Sequence, residues 1–135
     1  MRLEGFELYH WARTQPVIAQ SSCEAALLAL NTGASEGRLV QSIMMELDMP
    51  VQLGLLTDSS SAKAVTLRRG PGRMRHIEIR QLWLQEECRQ HRLTIERVST
   101  RENDADMFTK AVCAARLREL CSMLGLQELA EGNEQ

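Results

Sequence analysis

"LLTDSSSAKAV", residues 55–65, is the stretch on which the fold turns. An apolar run ends in one aspartate, Asp58, and three serines lead at once into an alanine-containing segment with helical character. That is a strand running into a helix, and the preceding "VQLGLLT" is short and apolar enough for a buried strand. A carboxylate at such a turn serves either as an N-cap for the following helix or as a metal ligand. Both readings stay open for Asp58 by itself.

The elements on either side extend the pattern. "ELYHWART" reads as a strand closed by Gln15-Pro16. "SSCE" at 21–24 matches a capping box, with Ser21 as cap and Glu24 three residues on. A helix is predicted from there to about Asn31, with Gly33 weakening its continuation. "EGRLVQSIMMEL" places Leu39, Val40, Ile43, Met44 and Leu47 on one face of a second helix, stopped by Asp48-Met49-Pro50. After the Asp58 turn, "SSSAKAVTLRR" is a short helix broken by Gly70-Pro71-Gly72, and "HIEIRQLWLQEECRQHR" a longer one. "LTIERVS" is a second short strand, and "ENDADMFTK" a helical turn. "AARLRELCSMLGL" spaces Leu117, Leu120, Cys121 and Leu124 as a single buried stripe. Strands alternating with helices predict an α/β fold with a mixed sheet over residues 1–126, followed by a polar tail over 127–135.

Composition bounds the chemistry. The 135 residues carry 44% hydrophobic and 25% charged residues, an ordinary globular balance. No apolar run approaches the roughly 18 residues of a membrane span, and "MRLEGFELYHW" has no signal core. The expectation is an intracellular protein, cytoplasmic or nuclear, not secreted and without a membrane partner. Cys23, Cys88, Cys113 and Cys121 form no zinc-type spacing. The net charge is −2, but residues 61–101 hold ten Lys/Arg against four acids, a local +6 that leaves −8 for the remainder. Such a basic middle is either a solvated helix face or a phosphate footprint.

Three acids fall at element ends: Glu24, Asp58 and Asp106. Three carboxylates from separated segments suit a two-metal site, because Mg²⁺ takes hard oxygen ligands and keeps several waters. Each also has a plain structural reading, as capping-box partner, N-cap and first-turn acid respectively.

The motifs resemble a known family. "PVIAQSSCEAALLAL", "TDSSSAKAV", "RMRHIEIRQLWLQE", "RVSTRENDADMFTKAV" and "LRELCSMLGL" resemble, in order and spacing, blocks of the ribonuclease H domain of copia-type retrotransposon polyproteins. The resemblance runs from about residue 11 to residue 126. It implies a ribonuclease H-like fold and hydrolysis of the RNA strand of RNA–DNA hybrids with two Mg²⁺ (or Mn²⁺) ions. It implies catalytic and metal-holding roles for Glu24, Asp58 and Asp106, and nucleic-acid contacts for Arg68, Arg69, Arg73, Arg75 and His76. There are departures. The family's first aspartate, on an opening strand, has no counterpart in "MRLEGFELYH"; Ala26 stands where a second glutamate is common, and Ser99 where proline is usual. Asp104 is an extra acid, expected to be solvated. The first strand is therefore expected to be missing. An upstream reverse transcriptase polypeptide is the expected source of it, and the chain alone is expected to be weak or inactive. The alternative is a catalytically dead remnant that binds nucleic acid through residues 61–101.

Overall fold

The computed structural model describes residues 1–3, 6–15, 17–70 and 79–126. The chain is mixed α/β, with a small parallel sheet and several helices, and it divides into two compact units. One unit is Thr14–Asn103; the other joins Met1–Arg13 to Asp104–Gln135.

The unit Thr14–Asn103 begins with α1, Ser22–Glu46. It continues with β3 (Leu53–Thr57), α2 (Ser60–Leu67), α3 (Ile79–Arg89) and β4 (Leu93–Arg97). β3 and β4 pair in parallel, Leu53 opposite Leu93 through Thr57 opposite Arg97. Parallel neighbours need a long crossover, which α2 and α3 provide. Leu27, Leu30 and Ala34 of α1 share one core with Ala62 and Val65 of α2, Leu84 of α3, and Leu93 and Ile95 of β4. The opposite face of the sheet is open: Gly54, Leu56, Thr94 and Glu96 are exposed, Leu56 at 64%. Parallel sheets are ordinarily covered on both faces.

α1 is one helix of 25 residues, where the sequence predicts two. Gly33, read as weakening the helix, does not interrupt it, and Gly37 is a point of close approach to the sheet. A Cβ on Gly37 would lie 2.5 Å from Leu53 Cδ1, and one on Gly33 would lie 3.8 Å from Leu55 Cδ2. At Gly37 close approach to the sheet offsets the roughly 1 kcal/mol that a glycine costs a helix interior. The stripe predicted from Leu39 to Leu47 does not form the inward face. Leu39, Ile43 and Leu47 are exposed, while Val40 and Met44 are half-buried. Leu27, Leu30, Ala34 and Gly37 are the inward residues, because they are the ones that meet the sheet and the other helices.

A buried polar clamp ties this unit together. Glu87 of α3 is only 3% exposed. Arg92, just before β4, donates to both its oxygens from Nε at 3.0 Å, and Nε of Arg38 in α1 lies 3.4 Å from Oε2. The hydrogen bond to Glu87 raises the pKa of Arg92 above its ordinary value. Gln41 donates from Nε2 to the Val51 carbonyl at 2.8 Å, fixing α1 to the segment entering β3.

In the other unit, β1 (Arg2–Leu3) and β2 (Phe6–Glu7) form a short antiparallel hairpin. Residues 8–13 are not the predicted strand, since no other strand among the described residues pairs with them. Side-chain stacking orders them instead: Tyr9 on Trp11 at 4.8 Å between ring centres, and His10 on Phe108 at 4.6 Å. α4 (Asp106–Thr109) and α5 (Ala114–Met123) follow. Leu120 and Leu124 of the terminal stripe are buried and Cys121 is half-buried, but Leu117 is 40% exposed. Leu117 belongs to the first turn of α5, and the stripe turns inward only from its middle. Asp104 is not a free solvated acid; Arg2 pairs with it. The tail 127–135 lies outside the described residues.

Candidate metal and nucleic-acid site

Asp58 follows the last residue of β3, at the carboxyl end of a parallel strand. In open α/β sheets ligands gather beyond that end. The structure bears on the first of the two readings of this acid, the cap. Ser59, not Asp58, caps α2: its Oγ accepts from Ala62 N at 3.2 Å. Ser59 N in turn donates to Thr57 Oγ1 at 3.2 Å. Asp58 is half-buried.

Glu24 is 8% exposed in the first turn of α1. The capping box is present in a shifted form. Ser21 Oγ accepts from Glu24 N at 3.2 Å, while Glu24 Oε2 accepts from Gln20 N, one residue before the cap, at 2.7 Å. Helix and strand contacts place this acid relative to Asp58. Gly37 meets Leu53 and Gly33 meets Leu55, so α1 runs antiparallel to β3. At ~1.5 Å per helical residue and ~3.3 Å per strand residue, Glu24 lies ~13 Å beyond Gly33, and Asp58 ~10 Å beyond Leu55 in the same direction. Both acids therefore sit at one end of the unit.

Asp106 belongs to the other unit. It opens α4, is 8% exposed, and its Oδ1 lies 2.8 Å from Lys110 Nζ. Within either unit, among the described residues, no three His, Cys, Asp or Glu side chains gather as a metal-binding group. The donors that are present fit Mg²⁺ in kind: two carboxylates at one end supply hard oxygens to an ion that keeps several of its waters.

Of the predicted nucleic-acid contacts, Arg68 is half-buried and Arg69 exposed, both just after α2. Arg73, Arg75 and His76 lie outside the described residues. A groove of about 380 Å³ opens beside Arg68 and Arg69, between the end of α2 and α3. Gln85 fixes its walls, one amide nitrogen donating to the Val65 carbonyl at 2.9 Å and the Gly70 carbonyl at 3.0 Å. Leu67 and Leu82 supply apolar lining, and Arg89 adds another guanidinium. Arg89 is forked onto Glu86, Nε to Oε2 at 3.0 Å and Nη2 to Oε1 at 2.6 Å. Hydrogen bonds from Arg89 and Gln90 hold the Glu86 carboxyl below its usual pKa. Cys88, also on the groove, has its thiol pushed up by burial and then by the neighbouring Glu87 charge.

Sequence reasoning gave no role to Glu87, which sits three residues after the buried Leu84 and so on the same helical face. That spacing was the available signal. It also did not see the groove, which joins residues about 20 apart.

The chain is similar to a retrotransposon polyprotein. Over 116 residues, 84% of the chain, it is 29% identical to the retrovirus-related Pol polyprotein from transposon TNT 1-94 of Nicotiana tabacum. The match spans 9% of that polyprotein's length. This similarity supports kinship with a segment of a retrotransposon Pol polyprotein and hence a retroelement origin. No family model matches the chain, and no solved structure does. Among the described residues no helix is long and apolar enough to cross a membrane.

Proposed function

We propose that the chain is a ribonuclease H-like segment of retroelement origin, built to cut the RNA strand of RNA–DNA hybrids and weak or inactive by itself. One observation carries this reading: Asp58 stands at the carboxyl end of a parallel strand, relieved of capping by Ser59, with Glu24 at the same end. Kinship with a Pol polyprotein supports the choice of substrate. Glu24, Asp58 and Asp106 are the carboxylates proposed to hold Mg²⁺ (or Mn²⁺) and to serve in catalysis. The bound ion supplies water activation and charge stabilisation at the scissile phosphate. Arg68 and Arg69, with Arg73, Arg75 and His76, hold the hybrid through phosphate and 2′-hydroxyl contacts rather than base sequence. Among the described residues β3 pairs with β4 alone, so its other edge is where a further strand would add, and an upstream reverse transcriptase polypeptide is the proposed source.

A second reading has its own support. Lys110 already neutralises Asp106, which suits a catalytically dead remnant that only binds nucleic acid through residues 61–101.

The test is cleavage of a labelled RNA–DNA hybrid in Mg²⁺, by the chain alone and with an upstream strand ending in aspartate appended. We expect little cutting by the chain alone, clear cutting with the strand, and loss of it in Asp58→Asn. Each ~1.4 kcal/mol of lost barrier stabilisation is tenfold in rate, so the two forms should differ by orders of magnitude. No cutting in either form, with the hybrid still retained, selects the dead remnant.

A further inference from the structure

The groove between the end of α2 and α3 combines features that a solvated charge run lacks. Its walls are fixed, because one Gln85 amide nitrogen bonds both the Val65 and Gly70 carbonyls. Arg68, Arg69 and Arg89 surround apolar lining from Leu67 and Leu82. Cations around an apolar floor complement an anion carried on an apolar body, which describes the sugar–phosphate unit of a nucleic-acid strand.

We infer that this groove seats one sugar–phosphate unit of a bound strand, with Arg69 and Arg89 on the phosphate and Glu86 acting against it. The inference rests on the nucleic-acid reading above and deepens it, giving Arg89 and Glu86 of the basic stretch 61–101 opposite roles in one seat. Arg89 can take part without breaking its existing pair. Its fork to Glu86 uses Nε and Nη2, and Nη1 is outside that fork. Glu86 places a negative charge on the same groove and competes for the same guanidinium. The device is therefore a phosphate seat with a resident competitor, and the two residues of one ion pair should have opposite effects on binding.

The measurement is fluorescence anisotropy of a labelled RNA–DNA hybrid titrated with the full chain at several salt concentrations. Arg69→Ala and Arg89→Ala should each weaken binding and lower the slope of log K against log salt by about 1. Glu86→Gln should tighten binding, most at low salt. Arg118→Ala removes the same charge from an exposed position of α5 and should leave affinity unchanged. Exposed ion pairs contribute little to folding, so these variants should stay folded, as circular dichroism will check. Binding unchanged in Arg69→Ala and Arg89→Ala overturns the groove while leaving the nucleic-acid reading intact. So does a loss in Arg118→Ala as large as theirs, or weakened binding in Glu86→Gln. A wild-type chain that retains no hybrid at low salt overturns both.

Discussion

Two regions of the unit Thr14–Asn103 hold carboxylates, and they use them in opposite ways. In the interior between α1, α3 and the sheet, Glu87 is buried and gripped by Arg38 and Arg92. At the tip where β3 ends, Asp58 is half-buried, and the capping that would have occupied it falls to Ser59. The interior acid has its charge spent on joining three elements. The acid at the tip has no such structural duty, so its charge is disposable for a ligand. The lesson is that a carboxylate's local motif says less about its role than what neighbouring groups have already done for the backbone around it.

The comparison breaks most visibly at Glu87. Glu87→Ala should remove about 2–3 kcal/mol of stability, because it deletes charge-assisted hydrogen bonds and leaves two guanidinium groups facing a hole. Both arginines reach solvent, which keeps the loss below that of a fully enclosed pair. Urea melts would show it; a loss under ~0.5 kcal/mol would mean that the clamp is ornamental and that the two regions do not differ as described.

Two glycines of α1 sharpen the boundary between interior and surface. At Gly37 an added Cβ would meet Leu53 Cδ1 at 2.5 Å and Cδ2 at 3.0 Å. Leu53 must move, at a cost of about 1–3 kcal/mol, against a gain of about 1 kcal/mol in helix propensity. Gly37→Ala should therefore lower stability by about 1 kcal/mol. At Gly33 the nearest atom is Leu55 Cδ2 at 3.8 Å, an ordinary contact. Gly33→Ala should then raise stability by up to ~1 kcal/mol. Thermal melts of the two variants should shift in opposite directions. Equal shifts would show that α1 does not approach β3 most closely at Gly37.

How much of this was legible in the sequence follows the same division. β3, α2, α3, β4 and α5 were legible because apolar runs and breakers lie within a few residues of one another. The continuity of α1 was not, because Gly33 is a weak helix former and the strand residues against which α1 packs, Leu53 and Leu55, lie some 20 residues away. The segment around Tyr9 and Trp11 carries strand-forming residues, but β-propensity cannot supply a partner strand. At the tip, position alone brought out Asp58, yet its freedom from capping depended on which residue next to it took the role. Glu87 was hidden in "LQEECRQHR", where every charge looks solvated. Its burial depends on Arg38, far away in the chain.

The smallest expected change in stability is the most informative. Asp58→Asn alters no cap, because Ser59 Oγ accepts from Ala62 N, and it opens no cavity. Its stability without metal should lie within about 0.5 kcal/mol of wild type, as for surface substitutions away from special features. Mg²⁺ should separate the two proteins. An ion that binds only the folded state stabilises it by about 1.4 kcal/mol at ten times its dissociation constant. The wild-type melting temperature should therefore rise with added Mg²⁺, and that of Asp58→Asn should not. Glu24 cannot give so clean a result, since its carboxylate also accepts from Gln20 N and its removal loosens the start of α1. If Asp58→Asn is destabilised without metal, Asp58 has a structural duty and the contrast with Glu87 fails. If both proteins rise equally with Mg²⁺, the ion is held elsewhere, and the tip of β3 loses its claim to be a site.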